Sequence, residues 1–315
     1  MADSTQTPMP PALALPPGVT VLERGWLSSN NVLILGRDQA ALVDSGYGLH
    51  APQTLALVEA SLGGRPLDLL VNTHLHSDHC GGNAALQARY PQLRTHIPPG
   101  HADAVAAWNE DVLTYKPTGQ LCPRFGFTAT LQPGTDVTLG DATWQVHAAP
   151  GHDTHSVILF EPASRTLISA DALWQRGFGV VFPELDGEAA FAEVGATLDV
   201  IEALHPRAVI PGHGSPFADV AEALAFARKR LDGFVANPAK HLHYAAKVLL
   251  KFKLLELQRV PRAALLQWAS STPYFQSLFN RQFAGLDFAQ GLDLLVQELV
   301  RAGAAEVDGA LVLDR

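Results

Sequence analysis

Hydrophobic and polar residues fall into short alternating runs along the first third of the chain. Val19-Thr20-Val21-Leu22, Asn31-Val32-Leu33-Ile34-Leu35 and Ala40-Ala41-Leu42-Val43-Asp44 read as strands, the last two joined by a turn at Gly36-Arg37-Asp38-Gln39. Thr54 to Leu62 has the spacing of a short amphipathic helix and stops at Gly63-Gly64. Leu67 to Asn72 reads as a buried strand, which completes a β-α-β unit. Further along, residues 94–97 predict a strand and His101 to Trp108 a helix. Val137 to Val146 predicts a hairpin turning at Gly140-Asp141, and Ser156–Phe160 with Thr166–Ser169 a second one. Glu188 to Leu204 predicts a helix, Ala208 to Ile210 a strand, and Pro216 to Phe234 mostly helix. Strands interleaved with helices make this an α/β chain.

The pattern changes near Ala236-Asn237-Pro238. Tyr244 to Val260 reads as a helix rich in leucine, Pro261 opens another that runs to Trp268, and Ala289 to Ala302 forms a third. Residues 305–313 read as a hairpin with Asp308-Gly309 at its turn. The expected organisation is a flexible tail over 1–17, a main domain over 18–236 and a small module over 239–315. Helices followed by a hairpin make that module winged-helix-like. Residues 109–130 are weakly periodic and long for a loop in a compact domain, so they are a candidate lid.

The densest chemistry lies in Thr73-His74-Leu75-His76-Ser77-Asp78-His79-Cys80-Gly81-Gly82, between a strand and a small-residue helix spanning Asn83 to Arg89. On an extended backbone His74 and His76 point the same way. The turn into the helix sends Asp78 and His79 elsewhere, so one loop can serve two neighbouring metal ions. Imidazole and carboxylate donors suit Zn²⁺ or a similar divalent ion. Further candidates recur downstream at strand ends: His152 after Pro150-Gly151, Asp171 after Ile168-Ser169-Ala170, and His213 within Pro211-Gly212-His213-Gly214.

This loop resembles the His-x-His-x-Asp-His signature of the metallo-β-lactamase superfamily, and the resemblance extends over about residues 19–235. It implies a four-layer αββα fold. It also implies a ligand set of His74, His76 and His152 for one ion and Asp78, His79 and His213 for the other, with Asp171 bridging. Two divalent ions follow, zinc first, with iron or manganese also suited to the donors. The resemblance gives Asp44 a role in supporting a ligand histidine, and His152 rather than His155 the ligand position; His155 is then a neighbour of the site. Two ions sharing a water make it acidic enough to supply hydroxide at neutral pH. Asp78, ligand and proton acceptor, is the catalytic candidate. Zinc β-lactamases often carry Cys or Ser where this chain has Asp171. The comparison therefore runs instead to glyoxalase II, lactonases and ribonucleases of the same superfamily, some of which carry a winged-helix-like C-terminal domain.

Composition narrows this further. A net charge of −9 over 315 residues argues against a large nucleic-acid surface. The two cysteines, Cys80 and Cys122, form no disulfide framework, and the expected location is cytoplasmic. No apolar stretch is long enough to predict a membrane span. The expected function is hydrolysis of a small-molecule thioester, ester or lactone. The alternative is a phosphodiesterase acting on single-stranded RNA, with Lys247, Lys251 and Lys253 as phosphate contacts, and β-lactam hydrolysis ranks below both. An aromatic-walled pocket favours the small molecule, and a lysine-lined groove favours RNA. Trp108, Tyr115, Trp174, Phe178 and Tyr244 are the candidate substrate contacts. A homodimer is left open.

Overall fold

The computed structural model describes residues 13–283 and 285–315, so most of the expected N-terminal tail lies outside the described residues. Three strands open the chain: β1 (Val19–Leu22), β2 (Asn31–Leu35) and β3 (Ala40–Val43). Helix α1 (Ala51–Leu62) leads to β4 (Leu69–Val71), and the short α2 (Ser77–Cys80) is followed by α3 (Asn83–Arg89). Next come β5 (Arg94–Ile97), α4 (Ala102–Ala107), α5 (Tyr115–Thr118) and β6 (Ala129–Thr130). The strands β7 (Asp136–Leu139), β8 (Ala142–Ala148), β9 (Val157–Glu161) and β10 (Thr166–Ala170) form a meander. The helices α6 (Phe182–Asp186) and α7 (Phe191–Leu204), β11 (Ala208–Pro211) and α8 (Val220–Ala236) follow.

The strands form two sheets, ordered β1-β2-β3-β4-β5-β6 and β11-β10-β9-β8-β7. Period-two alternation decides how they stack. In β2, Val32 and Ile34 face the second sheet, where they meet Trp144, Val146, Leu159 and Ile168 in one buried cluster. Leu33, between them, faces the other way and packs with Val58 and Leu62 of α1 and Leu86 of α3. On the far side, Ile158, Phe160, Leu167 and Val209 bury against Val194, Leu198 and Ile201 of α7 and Ala227 and Leu231 of α8. The result is the four-layer αββα architecture.

Only Asn237 separates α8 from the 20-residue helix α9 (Pro238–Leu257). After it come β12 (Arg259–Pro261), α10 (Arg262–Ser271), α11 (Pro273–Gln282), α12 (Phe288–Arg301), β13 (Ala305–Asp308) and β14 (Leu311–Asp314). The strands make a small antiparallel sheet ordered β12-β14-β13. Two of these elements escape the sequence pattern. The pattern runs the α9 helix on to Val260, but Gln258 takes a positive φ of 60°, and Val260 pairs with Val312 across the sheet. It gives no helix where α11 lies, although Phe275, Leu278 and Phe279 of that helix are buried against α9 and α12.

The 109–130 segment, the candidate lid, is tied to its neighbours by packing and hydrogen bonds. Its own Leu113, Tyr115, Cys122 and Phe125 are buried in one cluster with Leu75 and Cys80 of the histidine-rich loop. Tyr115 Oη donates to Leu75 O at 2.9 Å, and Ser77 Oγ donates to Gln120 Oε1 at 2.6 Å. Lys253 of α9 donates to Gly119 O at 3.2 Å. The segment is thus in contact with the histidine-rich loop on one side and with α9 on the other.

Candidate metal centre

Both sheets present strand ends at one end of the sandwich, and the candidate ligands leave from there. β4 runs into the loop carrying His74 and His76, and α2 then displays Asp78 and His79. The loop after β8 supplies His152, and β10 and β11 end at Asp171 and His213. Backbone bonds interlock these ends: Ser29 N donates to Asp78 O at 2.9 Å, Asn30 N to Gly212 O at 2.7 Å, and Ser45 N to His79 O at 2.7 Å. Two residues at the strand ends have left-handed backbones despite carrying side chains, Asp44 at φ 58° and Ala170 at φ 46°. Such strain clusters at functional sites. At Ala170 it accompanies a register shift between β10 and β11 that turns Asp171 into the site.

The seven side chains form two groups, His74-His76-His152 and Asp78-His79-Asp171-His213, with candidate donor atoms within 4.8 Å of one another in each. His152 Nε2 lies 2.8 Å from His76 Nδ1 and 3.3 Å from His74 Nε2. In the second group His213 Nε2 is 3.1 Å from Asp78 Oδ2, and His79 Nε2 is 3.5 Å from Asp171 Oδ1. Asp171 spans both groups, since its Oδ2 lies 3.4 Å from His152 Nε2 and 3.8 Å from His213 Nε2.

The donor set fits divalent ions. Among the described residues His79 Nε2 is buried without a hydrogen-bond partner while its other nitrogen is bonded. A buried orphan of this kind needs an explanation, and a lone pair aimed at a metal supplies one. Burial pushes His74 well below its usual pKa and His76 down to about 4, and neighbouring imidazoles reinforce both shifts. Both rings are therefore neutral, the form that ligates. Burial alone would raise Asp171, but His213 and His79 outweigh it and hold the carboxyl well below its usual range. Asp78 is lowered as well, because His79 and His213 overcome its burial.

A surrounding layer fixes ring orientations. His79 Nδ1 lies 2.7 Å from Asp44 Oδ2, and the same carboxylate accepts from Thr73 N at 2.9 Å and Thr73 Oγ1 at 2.7 Å. His152 Nδ1 lies 2.6 Å from Val180 O. Trp174 Nε1 donates to Asp171 Oδ1 at 3.2 Å. Asp153, which the sequence pattern does not single out, sits 3.9 Å from His76 Nε2. Its adjacency to His152 is the available signal. His155 instead turns away and packs edge-on against His101 at 4.6 Å.

The cleft over the two groups is lined by Trp26, Trp174, Phe182, Val248, Leu249 and Phe252, with Thr114, Thr118 and Gln120 opposite. Trp174 is the one expected substrate contact that lines it. Tyr244 lines an adjacent pocket. Trp108 and Tyr115 pack together in the cluster behind the histidine-rich loop, and Phe178 is 1% exposed within the core under α7 and α8. Trp26 carries no sequence signal, yet its ring stacks on His213 at 5.3 Å and lies edge-on to Trp174 at the same distance. Val248, Leu249 and Phe252 come from α9, which closes the cleft from the C-terminal region.

Known proteins resemble this chain in sequence and in fold. The family model described as Metallo-beta-lactamase superfamily matches residues 24–213. The hydroxyacylglutathione hydrolase of Brucella anthropi is 25% identical over 246 residues, 78% of this chain and 80% of that protein. That of Dechloromonas aromatica is 33% identical over 176 residues, 56% of this chain and 54% of that protein, about half its length. A metallo-beta-lactamase family protein from Thermus thermophilus superposes with a TM-score of 0.56 at 23% identity, covering 96% of this chain and all of that one.

Proposed function

The chain belongs to the metallo-beta-lactamase superfamily and is a metal-dependent hydrolase, and we propose that it cleaves a small-molecule thioester. The observation that carries the substrate class is the cleft. One of its sides is aromatic and aliphatic, it lies over the two ligand groups, and the chain's relatives by sequence are named hydroxyacylglutathione hydrolases. The RNA reading needs free lysines, and none of the three is free. Lys247 pairs with Glu298 at 3.2 Å, Lys251 with Asp314 at 2.5 Å and Lys253 with Glu256 at 2.5 Å. Residues 239–315 act in this reading as a winged-helix-like module whose first helix is a wall of the cleft.

His74, His76 and His152 would hold one divalent ion and Asp78, His79 and His213 the other, with the Asp171 carboxylate, which reaches both groups, shared between them. When bound, zinc ions in such a pair polarise a carbonyl oxygen and acidify a water. The chain's own residues do the rest. Asp44 keeps the His79 proton on Nδ1, so that Nε2 presents its lone pair, and Val180 O does the same for His152. Trp174 steadies one Asp171 oxygen by donating to it. Asp78, with its side chain 14% exposed, is the least buried acid of the second group and lines the cleft. Its carboxylate is placed to accept the proton of the attacking water and return it to the departing sulfur. Trp26, Trp174 and Phe182 exclude water from the acyl group, which strengthens every charge interaction there.

Initial rates on an acyl thioester and on single-stranded RNA, each with and without chelator, test this reading. Chelator-sensitive thioester cleavage with intact RNA is expected. RNA cleavage with the thioester untouched overturns it.

A further inference from the structure

We propose that Gln120 binds the reacting carbonyl oxygen of the substrate through its side-chain amide; this rests on the thioester reading above. Gln120 lines the same cleft as His76, Asp78 and Asp171. Its Oε1 accepts from Ser77 Oγ at 2.6 Å, and Ser77 lies between His76 and Asp78 in the chain. The amide is therefore seated on the loop that carries four of the candidate ligands.

A side-chain amide offers one acceptor oxygen and two N–H donors. Ser77 occupies the oxygen, and among the described residues no acceptor meets Nε2. Holding the oxygen limits rotation of the planar group and leaves its N–H bonds as the part available to a bound molecule. A carbonyl oxygen has two lone pairs, so it can face the ligand groups with one and accept from Gln120 with the other. As hydroxide oxygen bonds to the thioester carbon, the π pair of the C=O moves onto this oxygen. When the pair returns, the C–S bond breaks, and the sulfur leaves with its bonding electrons and the proton held by Asp78. A donor already in place stabilises the transient negative charge without having to reorganise.

The backbone is tethered at Gln120 and at both its neighbours. Buried Lys253 of α9 donates to Gly119 O at 3.2 Å. Gln120 N donates to Tyr115 O at 2.9 Å, and Leu121 N donates to Oη of buried Tyr47 at 2.8 Å. Gly119, at φ 63°, ends α5 in left-handed backbone, and a Cβ there would come within 3.0 Å of Trp268 Nε1. At the other end of α5, Thr114 also lines the cleft and holds φ 66° although it is β-branched. Its carbonyl accepts from Thr118 Oγ1 at 2.6 Å. Strain of this kind clusters at ligand clamps. These tethers remove conformational freedom before a substrate arrives, which is what a positioned donor requires.

The test compares Gln120→Glu and Gln120→Leu with the wild type, each as the zinc-loaded full chain, on an acyl thioester of N-acetylcysteamine, whose small neutral thiol half leaves the acyl centre as the part being read. Glu keeps an acceptor for Ser77 Oγ but brings no N–H, and Leu keeps neither. The expected result is a kcat about a hundredfold lower in both variants, as loss of one donor to a developing oxyanion gives, with zinc still at two per chain. A trifluoromethyl ketone carrying the same acyl chain, held as a tetrahedral adduct, is expected to bind more weakly by a similar factor in both. Near-normal kcat in Gln120→Glu makes the residue a partner of Ser77 alone and overturns the proposal. Unchanged affinity for the ketone overturns it too, as does a loss of zinc in step with the loss of rate; each leaves the thioester reading standing. A wild-type chain with no chelator-sensitive thioester turnover removes both.

Discussion

Replacing Asp44 with Asn changes one atom of a buried side chain and tests how the second ligand group is aimed. Asp44 is 3% exposed and accepts three hydrogen bonds, two from Thr73 and one from His79 Nδ1. Asn tolerates the left-handed backbone at this position, so the fold is retained. The amide, however, has one acceptor instead of two. With its oxygen on Thr73 N, its NH₂ meets His79 Nδ1, and the ring relieves the clash by moving its proton to Nε2. That nitrogen is the ligand atom, and protonating it blocks coordination. Loss of such an outer partner typically lowers metal affinity about 10- to 100-fold, or about 1.4–2.8 kcal/mol. The expected result is a zinc content that falls from two towards one per chain, because His74, His76 and His152 keep their orientation. Metal analysis after dialysis and competition against a coloured chelator measure it. In a His79→Ala background the same substitution is expected to have no further effect on affinity, which separates ring aiming from general damage. Two zinc ions bound at wild-type affinity in Asp44→Asn refute the reasoning.

Three further outcomes are expected. Gly212→Ala would place a Cβ 2.2 Å from Asp171 Oδ1 and 3.0 Å from His79 Cε1; displacing the bridging carboxylate is expected to lower kcat about a hundredfold, and near-normal turnover counts against Asp171 as the shared ligand. His241, 1% exposed, accepts from Val181 N at 3.0 Å and is pushed down to about 4 by burial, with Arg230 and Arg281 adding to it. Its folded pKa lies below its unfolded one, so the unfolded chain binds the extra proton first and stability falls as pH drops from about 6.5 towards 4. About 2 kcal/mol should be lost between about pH 7 and about pH 5, read by urea titration, and a His241→Gln variant that shows the same slope would assign the loss elsewhere. Phe252→Ala opens the α9 wall of the cleft; KM is expected to rise about tenfold for loss of one buried ring, with zinc content still at two, and an unchanged KM would place the acyl group on the opposite side.

Much of the catalytic domain is legible in the sequence because its signals are local. The strands over Val19–Leu22, Asn31–Leu35 and Arg94–Ile97 and the helix over Asn83–Arg89 have the expected bounds, since period-two alternation and glycine punctuation act within a few residues. The C-terminal region is less legible. A three-residue strand such as Arg259–Pro261 has too few positions to show a period, and its leucine-rich neighbour extends the helical pattern across it. The substrate residues are the least legible. Aromatic residues close to the ligands in sequence are the natural candidates, and of these Trp108, Tyr115 and Phe178 turn inward to fill core. A large ring gains more from full burial than from a wet cleft, and its side depends on strand and helix packing.

The spacing of His74, His76, Asp78 and His79 is enough to predict a loop that serves metal ions, because donor type and the geometry of a strand-to-helix loop are properties of a few adjacent residues, and the family resemblance that it carries, with His152, Asp171 and His213 at later strand ends, implies a hydrolase. Which atoms meet is a matter of the whole fold. The sandwich alone brings Asp171 between two groups drawn from loops far apart in the chain, as His74 and His213 are. It alone lays Trp26 on His213 and closes the cleft with α9. Those contacts are long-range, formed by packing rather than by neighbours in the chain, and no local pattern encodes them.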